Sequence, residues 1–175
     1  MNTRVFLILI TFIASYIMIS CDKEQYHGQQ PAITGQIIKN STCKNNFKSA
    51  SENSVTPDTL SCIDYSYDSQ NNKLTLKHIN AGFNCCPEKL YCNVSLSKDT
   101  LIIHEFEKEA LCDCNCLYDL DIEITGVVTQ KYHIKFIEPY CGEQPQLIFE
   151  IDLSEETEGL FCVTRKRYPW GIYNM

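Results

Sequence analysis

Along most of the chain apolar side chains recur at every second position and almost nowhere at helical spacing, which predicts antiparallel strands with one buried face. The clearest stretch is 117–137, where Leu120, Ile122 and Ile124 alternate with Asp119, Asp121 and Glu123. After a short loop at 128–130, Tyr132, Ile134 and Phe136 alternate with Lys131, His133 and Lys135. Read as a hairpin, this sets Ile124 against Ile134 and Ile122 against Phe136 on the buried face. Glu123 then meets Lys135 outside, and Tyr132 covers Gly126. Residues 60–67 and 73–80 predict a second hairpin about a turn at 69–72, matching Tyr65 to Leu76 and Tyr67 to Leu74. Residues 90–96 with 100–108, and 146–153 with 159–167, predict two more, the last about an acidic loop closed by Gly159. A further strand is expected from Ile33 to Ile38, and the polar stretch 40–57 reads as a long surface loop pinned by Cys43. About nine strands predict an all-β fold, an antiparallel β-sandwich, because a single sheet would leave one apolar face wet; a barrel is the alternative.

One apolar run breaks this pattern. Val5 to Ile19 carries no charge, follows Arg4, and gives way to polar sequence at Cys21. It is shorter than the roughly 20 residues a membrane-spanning helix needs, and has the layout of a signal peptide. Met18-Ile19-Ser20-Cys21 resembles the lipobox of bacterial lipoproteins. The resemblance implies that residues 1–20 are a lipoprotein signal peptide and that Cys21 is diacylated, becoming the new N-terminus and holding the chain to a membrane. Residues 21–32, polar and aperiodic, then read as a flexible tether, and 33–175 as a single disulfide-rich β domain. The chain is similar in class to the small cysteine-rich lipoproteins of Gram-negative bacteria, which implies an exported address: periplasm, outer membrane or cell surface. A formal charge of −7 argues against nucleic acid as a partner.

The chain has 11 cysteines. Reserving Cys21 for lipid leaves an even set, Cys43, Cys62, Cys85, Cys86, Cys92, Cys112, Cys114, Cys116, Cys141 and Cys162, so an exported chain is expected to form five disulfides. Adjacent Cys85 and Cys86 are badly placed to bridge each other. Cys112, Cys114 and Cys116 alternate as if on one face of a strand. The hairpin between the triplets must bring its ends together, so Cys85, Cys86 and Cys92 are expected to pair largely with Cys112, Cys114 and Cys116. Cys43, Cys62, Cys141 and Cys162 would form two further bridges in a pairing left open. The rival reading is a zinc or copper thiolate cluster, against which the spacing argues. No metal and no cofactor is expected.

Catalytic signatures are missing: there is no G-x-S-x-G elbow, no H-E-x-x-H and no phosphate-binding glycine loop. His78 shares a strand face with Leu74 and Leu76, and His104 with Ile102 and Phe106. The two could form a metal or acid/base pair, but hydrogen-bonded core histidines are the commoner outcome. His133 sits on a polar face. Asp119, Asp121 and Glu123, with Glu150 and Asp152, could gather calcium, yet carboxylates along a strand fan out, and a solvated face is the simpler expectation. Tyr168, Trp170 and Tyr173 follow Arg165-Lys166-Arg167 and are candidate binding residues, unless they merely cover one end of the core. The expected function is a non-catalytic binding or structural module for a protein or glycan partner. The alternative is a secreted hydrolase or thiolate metal-binding protein with its site near Cys85-Cys86-Pro87 and Asp113-Cys114-Asn115.

Overall fold

The Asp68 carboxylate accepts hydrogen bonds from the backbone N–H of Gln70 and Asn71, at 3.0 and 3.2 Å, and Asn72 takes a left-handed φ of 50°. Short polar side chains tolerate and stabilise such a reversal, and the chain folds back on itself here. The result is the hairpin of β2 (Leu60–Asp68) and β3 (Lys73–Asn84), with Tyr65 opposite Leu76 and Tyr67 opposite Leu74, as the alternation predicts. A two-residue turn at Lys98 and Asp99, with Lys98 at a φ of 58°, joins β4 (Pro87–Ser97) to β5 (Thr100–Ala110) in the same manner.

The computed structural model of the protein describes residues 32–44 and 56–167. The expected signal peptide, Cys21, nearly all of the expected tether, and the candidate binding residues Tyr168, Trp170 and Tyr173 lie outside the described residues. The remaining strands are β1 (Thr34–Asn40), β6 (Asn115–Thr125), β7 (Lys131–Ile137), β8 (Ile148–Asp152) and β9 (Glu158–Thr164). They form two packed sheets, one in the order β1-β6-β3-β2-β9 and one in the order β4-β5-β7-β8. This is the β-sandwich the alternation predicts. The β5–β7 pair is parallel, and every other strand pair is antiparallel.

Two expected hairpins are not hairpins. β6 pairs with β1 and β3 in the five-stranded sheet, whereas β7 pairs with β5 and β8 in the other. The chain crosses between sheets after Gly126, whose φ of 82° suits a glycine. Glu123 therefore faces Lys73, at 3.3 Å, and not Lys135. Likewise β8 and β9 belong to opposite sheets, joined by stacked Phe149 and Phe161 instead of a ladder. Alternation reports which face a strand buries; it does not report which strand lies beside it. The residues that the expected hairpins matched side by side, Ile122, Ile124, Ile134 and Phe136, all enter the shared core.

Four disulfides brace the sandwich: Cys43–Cys116, Cys62–Cys162, Cys85–Cys114 and Cys86–Cys112. The triplets contribute two of their three expected pairs. Cys116 is taken by Cys43, and Cys112 and Cys114 lie in the loop before β6, not on a strand. The fifth bridge is absent. Cys92 and Cys141 are buried free thiols. Cys92 sits on β4, one edge of its sheet, while Cys141 follows β7 near the opposite edge, so the core separates them. Four disulfides mark an extracytoplasmic protein, because reducing compartments do not maintain them.

Candidate functional site

β2 directs Ser61, Ile63, Tyr65 and Tyr67 inward, and β3 directs Leu74, Leu76 and His78 inward beside them. The facing sheet contributes Leu101, Ile103 and Glu105 from β5. Three polar side chains thus meet in an apolar core. Ser61 Oγ lies 2.9 Å from His78 Nε2, and His78 Nδ1 lies 2.8 Å from Glu105 Oε1. When the ring is neutral, Nδ1–H donates to Glu105 and Nε2 accepts from the serine hydroxyl. When it is charged, both nitrogens donate.

Beyond β7, Glu138 joins this group, its Oε1 at 3.9 Å from His78 Nε2. Arg165, just past β9, donates through Nη2 to both oxygens of Glu138 at 2.8 and 2.7 Å, and through Nη1 to the Pro145 carbonyl at 2.7 Å and to Cys141 Sγ at 2.9 Å. Its Nη2 also lies 3.4 Å from Ser61 Oγ. Ser61 and His78 are fully buried, and the side chains of Arg165 and Glu138 are 0 % and 2 % exposed. Glu105 Oε2 has no hydrogen-bond partner. Burial pushes the Glu105 carboxyl above its ordinary value, more than the imidazole beside it pulls it down. Burial alone would lower the His78 ring, but the Glu105 charge and hydrogen bond, aided by Glu138, outweigh it and raise the ring. Removing either partner strands the other charge in the core, at a cost of about 3 to 5 kcal/mol.

The order serine, imidazole, carboxylate is that of a hydrolase relay. Its chemistry requires a substrate carbonyl to reach the serine oxygen, and here that oxygen is sealed. A cleft of about 220 Å³ opens nearby between Cys141, Gly142, Pro145, Lys166 and Arg167, but neither Ser61, His78 nor Glu105 lines it. The two free thiols differ: Cys92 is buried in the core, whereas Cys141, though buried, lines this cleft. Burial, with the Glu105 charge, pushes Cys92 up to about 12, and burial likewise raises Cys141 despite Arg165 beside it.

The outer faces of the two sheets differ at their centres, although the edge strands β9 and β1 of the five-stranded sheet also carry the exposed Leu160 and Ile38. Outside the five-stranded sheet stand Asp64, Ser66, Lys73, Lys77, Asp121 and Glu123, so the acidic row of β6 is a solvated face in which Glu123 meets Lys73 and Asp119 meets Lys44 at 2.5 Å. Glu150 and Asp152 lie on β8 of the other sheet and do not converge with that row. Outside the four-stranded sheet, register aligns Tyr91 with Phe106, His104 with Ile137, and Ile102 with Lys135 and then Ile148. Tyr91 and Phe106 stack with centroids 5.3 Å apart, and His104 leans on Phe106 at 5.8 Å. Ile137 and Ile148 are 40 % and 49 % exposed, high for such side chains on a surface that burial does not require to be apolar. Lys89 Nζ sits 4.8 Å above the Tyr91 ring.

His104 therefore points to solvent, on the opposite side of its sheet from Glu105, and never meets His78. His133 is half exposed between Asp99 and Glu150, as expected of a polar face. Cys85, Cys86, Cys112 and Cys114 are all bridged, and among the described residues no cluster of three or more metal-ligating side chains forms. Ser61, Glu105 and Glu138 escape a motif search because they come from three separate strands or strand ends. The available signal was parity: Ser61 is in step with Ile63 and Tyr65, and Glu105 with Leu101 and Ile103. Comparison of the chain with protein families, curated proteins and solved structures finds no match.

Proposed function

We propose that the protein is an exported, lipid-anchored, non-catalytic binding module that docks a protein partner on the outer face of its four-stranded sheet. The observation that carries this reading is the contrast between the two outer faces, one charged throughout its centre and the other crossed by the band Tyr91, Phe106, His104, Ile102, Ile137 and Ile148. A monomer gains nothing by presenting such a band to water, whereas an interface core is built from such side chains. Tyr91 is already engaged by Phe106 and Lys89, which leaves little free ring for a sugar and favours a protein over a glycan. Lys89 borders the band and Lys135 stands within it, between Ile102 and Ile148, each without a carboxylate partner among the described residues, so the complementary surface is apolar with Asp or Glu set against these two lysines. Lipid on Cys21 would hold this face close to a membrane-bound or cell-surface partner.

The test places a photo-crosslinking residue at His104, and separately at Asp64 on the opposite face, in the membrane-bound protein of the producing cell. A discrete adduct from position 104 that is lost with Lys135→Glu, and none from position 64, is the expected result. Equal adducts from both faces, or none from 104, would overturn the docking face. Intact mass of the purified protein reads acylation of Cys21 directly.

A second reading, a hydrolase, is favoured by the Ser61–His78–Glu105 geometry. It requires the sandwich to open at that end. Labelling of Ser61 by a fluorophosphonate in the folded protein, abolished by Ser61→Ala, would establish it.

A further inference from the structure

We propose that the buried cluster of Ser61, His78, Glu105, Glu138 and Arg165 is a pH-sensitive latch that ties the two sheets together at one end of the sandwich and loosens above neutral pH. Both of its links cross between sheets. His78 on β3 reaches Glu105 on β5, and Arg165 at the end of β9 reaches Glu138 at the end of β7. With one titrating proton on the His78–Glu105 pair the cluster is neutral, two charges of each sign when the proton is on the ring and one of each when it is on Glu105. Loss of that proton leaves one negative charge uncompensated among side chains that are almost wholly buried.

Every element packed around the imidazole contributes to this balance. β2 supplies Ser61, β5 supplies Glu105, β7 supplies Phe136 at 5.4 Å and then Glu138, and the end of β9 supplies Arg165. β6 supplies only Leu120 alongside, and β4 places the neutral thiol of Cys92 opposite Glu105. Cys141 lies at the rim, under Arg165. The direction of the ring's shift agrees: a folded value above the unfolded 6.5 means stabilisation complete below 6.5 and lost as pH rises through the folded value.

Urea unfolding with the disulfides intact, from pH 6 to 8, tests the latch below the range in which unfolded thiols ionise. The unfolding constant of the native protein is expected to rise with pH by a factor approaching about tenfold per unit, the limit for one proton, and His78→Gln to lose that dependence. Nitrogen-15 spectra of the imidazoles supply an independent reading should the variant fail to fold: the His78 ring is expected to hold its proton to a higher pH than a free imidazole, or to hand it to Glu105 without releasing it to solvent. A His78 proton lost to solvent at or below the pH at which a free imidazole loses it, or a pH dependence unchanged in His78→Gln, would overturn the proposal.

Discussion

Phe149 of β8 and Phe161 of β9 stack with centroids 4.5 Å apart and planes 15° from parallel, although their strands belong to different sheets. Among the described residues no backbone ladder joins the two sheets, and this pair fastens one side of the sandwich. Truncating either ring to alanine is expected to destabilise the fold by about 2 to 4 kcal/mol. The double variant should cost less than the sum, by about 0.5 to 1.5 kcal/mol of coupling, in a urea double-mutant cycle. Additive costs would show that the stack contributes burial alone.

The opposite side closes differently. A Cβ on Gly35 of β1 would come within 2.9 Å of the Val94 Cβ on β4, so the two edge strands approach only because residue 35 has no side chain. Gly35→Ala is expected to push these edges apart and cost about 1 to 3 kcal/mol, as overpacking does. A compensating Val94→Ala should recover part of it. Thermal unfolding of the single and double variants checks this.

The cysteine pattern makes a third prediction. In the native protein Cys92 should not react with an alkylating reagent even at pH 9, because burial blocks access and holds the thiol protonated, and Cys141, at the wall of a cleft but also held protonated, should react more slowly than an exposed thiol. Denaturant without reductant should make the thiols of Cys92 and Cys141 reactive. Finding none would mean that the two residues are bridged in solution.

Turns and the parity of single-sided strands were legible in the sequence. The β2–β3 register could be read residue by residue because Tyr65, Tyr67, Leu74 and Leu76 are apolar on one face while Asp64, Ser66, Lys73 and Lys77 are polar on the other. β5 could not. Leu101 and Ile103 point one way and Ile102 and Phe106 the other, so period-two reading has no polar face to fix which side is buried: His104 does share a face with Ile102 and Phe106, but that face is the outer one. Correcting that side exposes both candidate sites together: it turns Glu105 inward to His78 and leaves Ile102, His104 and Phe106 outside as a surface. The crossovers at Gly126 and after β8 were hidden for another reason. A short loop is equally compatible with a hairpin and with a step between sheets, and only the packing of the whole core decides between them.

Sealing Cys92 and Cys141 also bears on the permanence of the four bridges. Exchange among disulfides needs a thiolate as attacker, and during folding these two sulfurs are the chain's own supply of one, able to undo a wrong pairing such as Cys85 with Cys112. Completion of the core withdraws both. Among the described residues the finished protein keeps both free thiols buried and protonated, so the act of folding correctly also slows any further search.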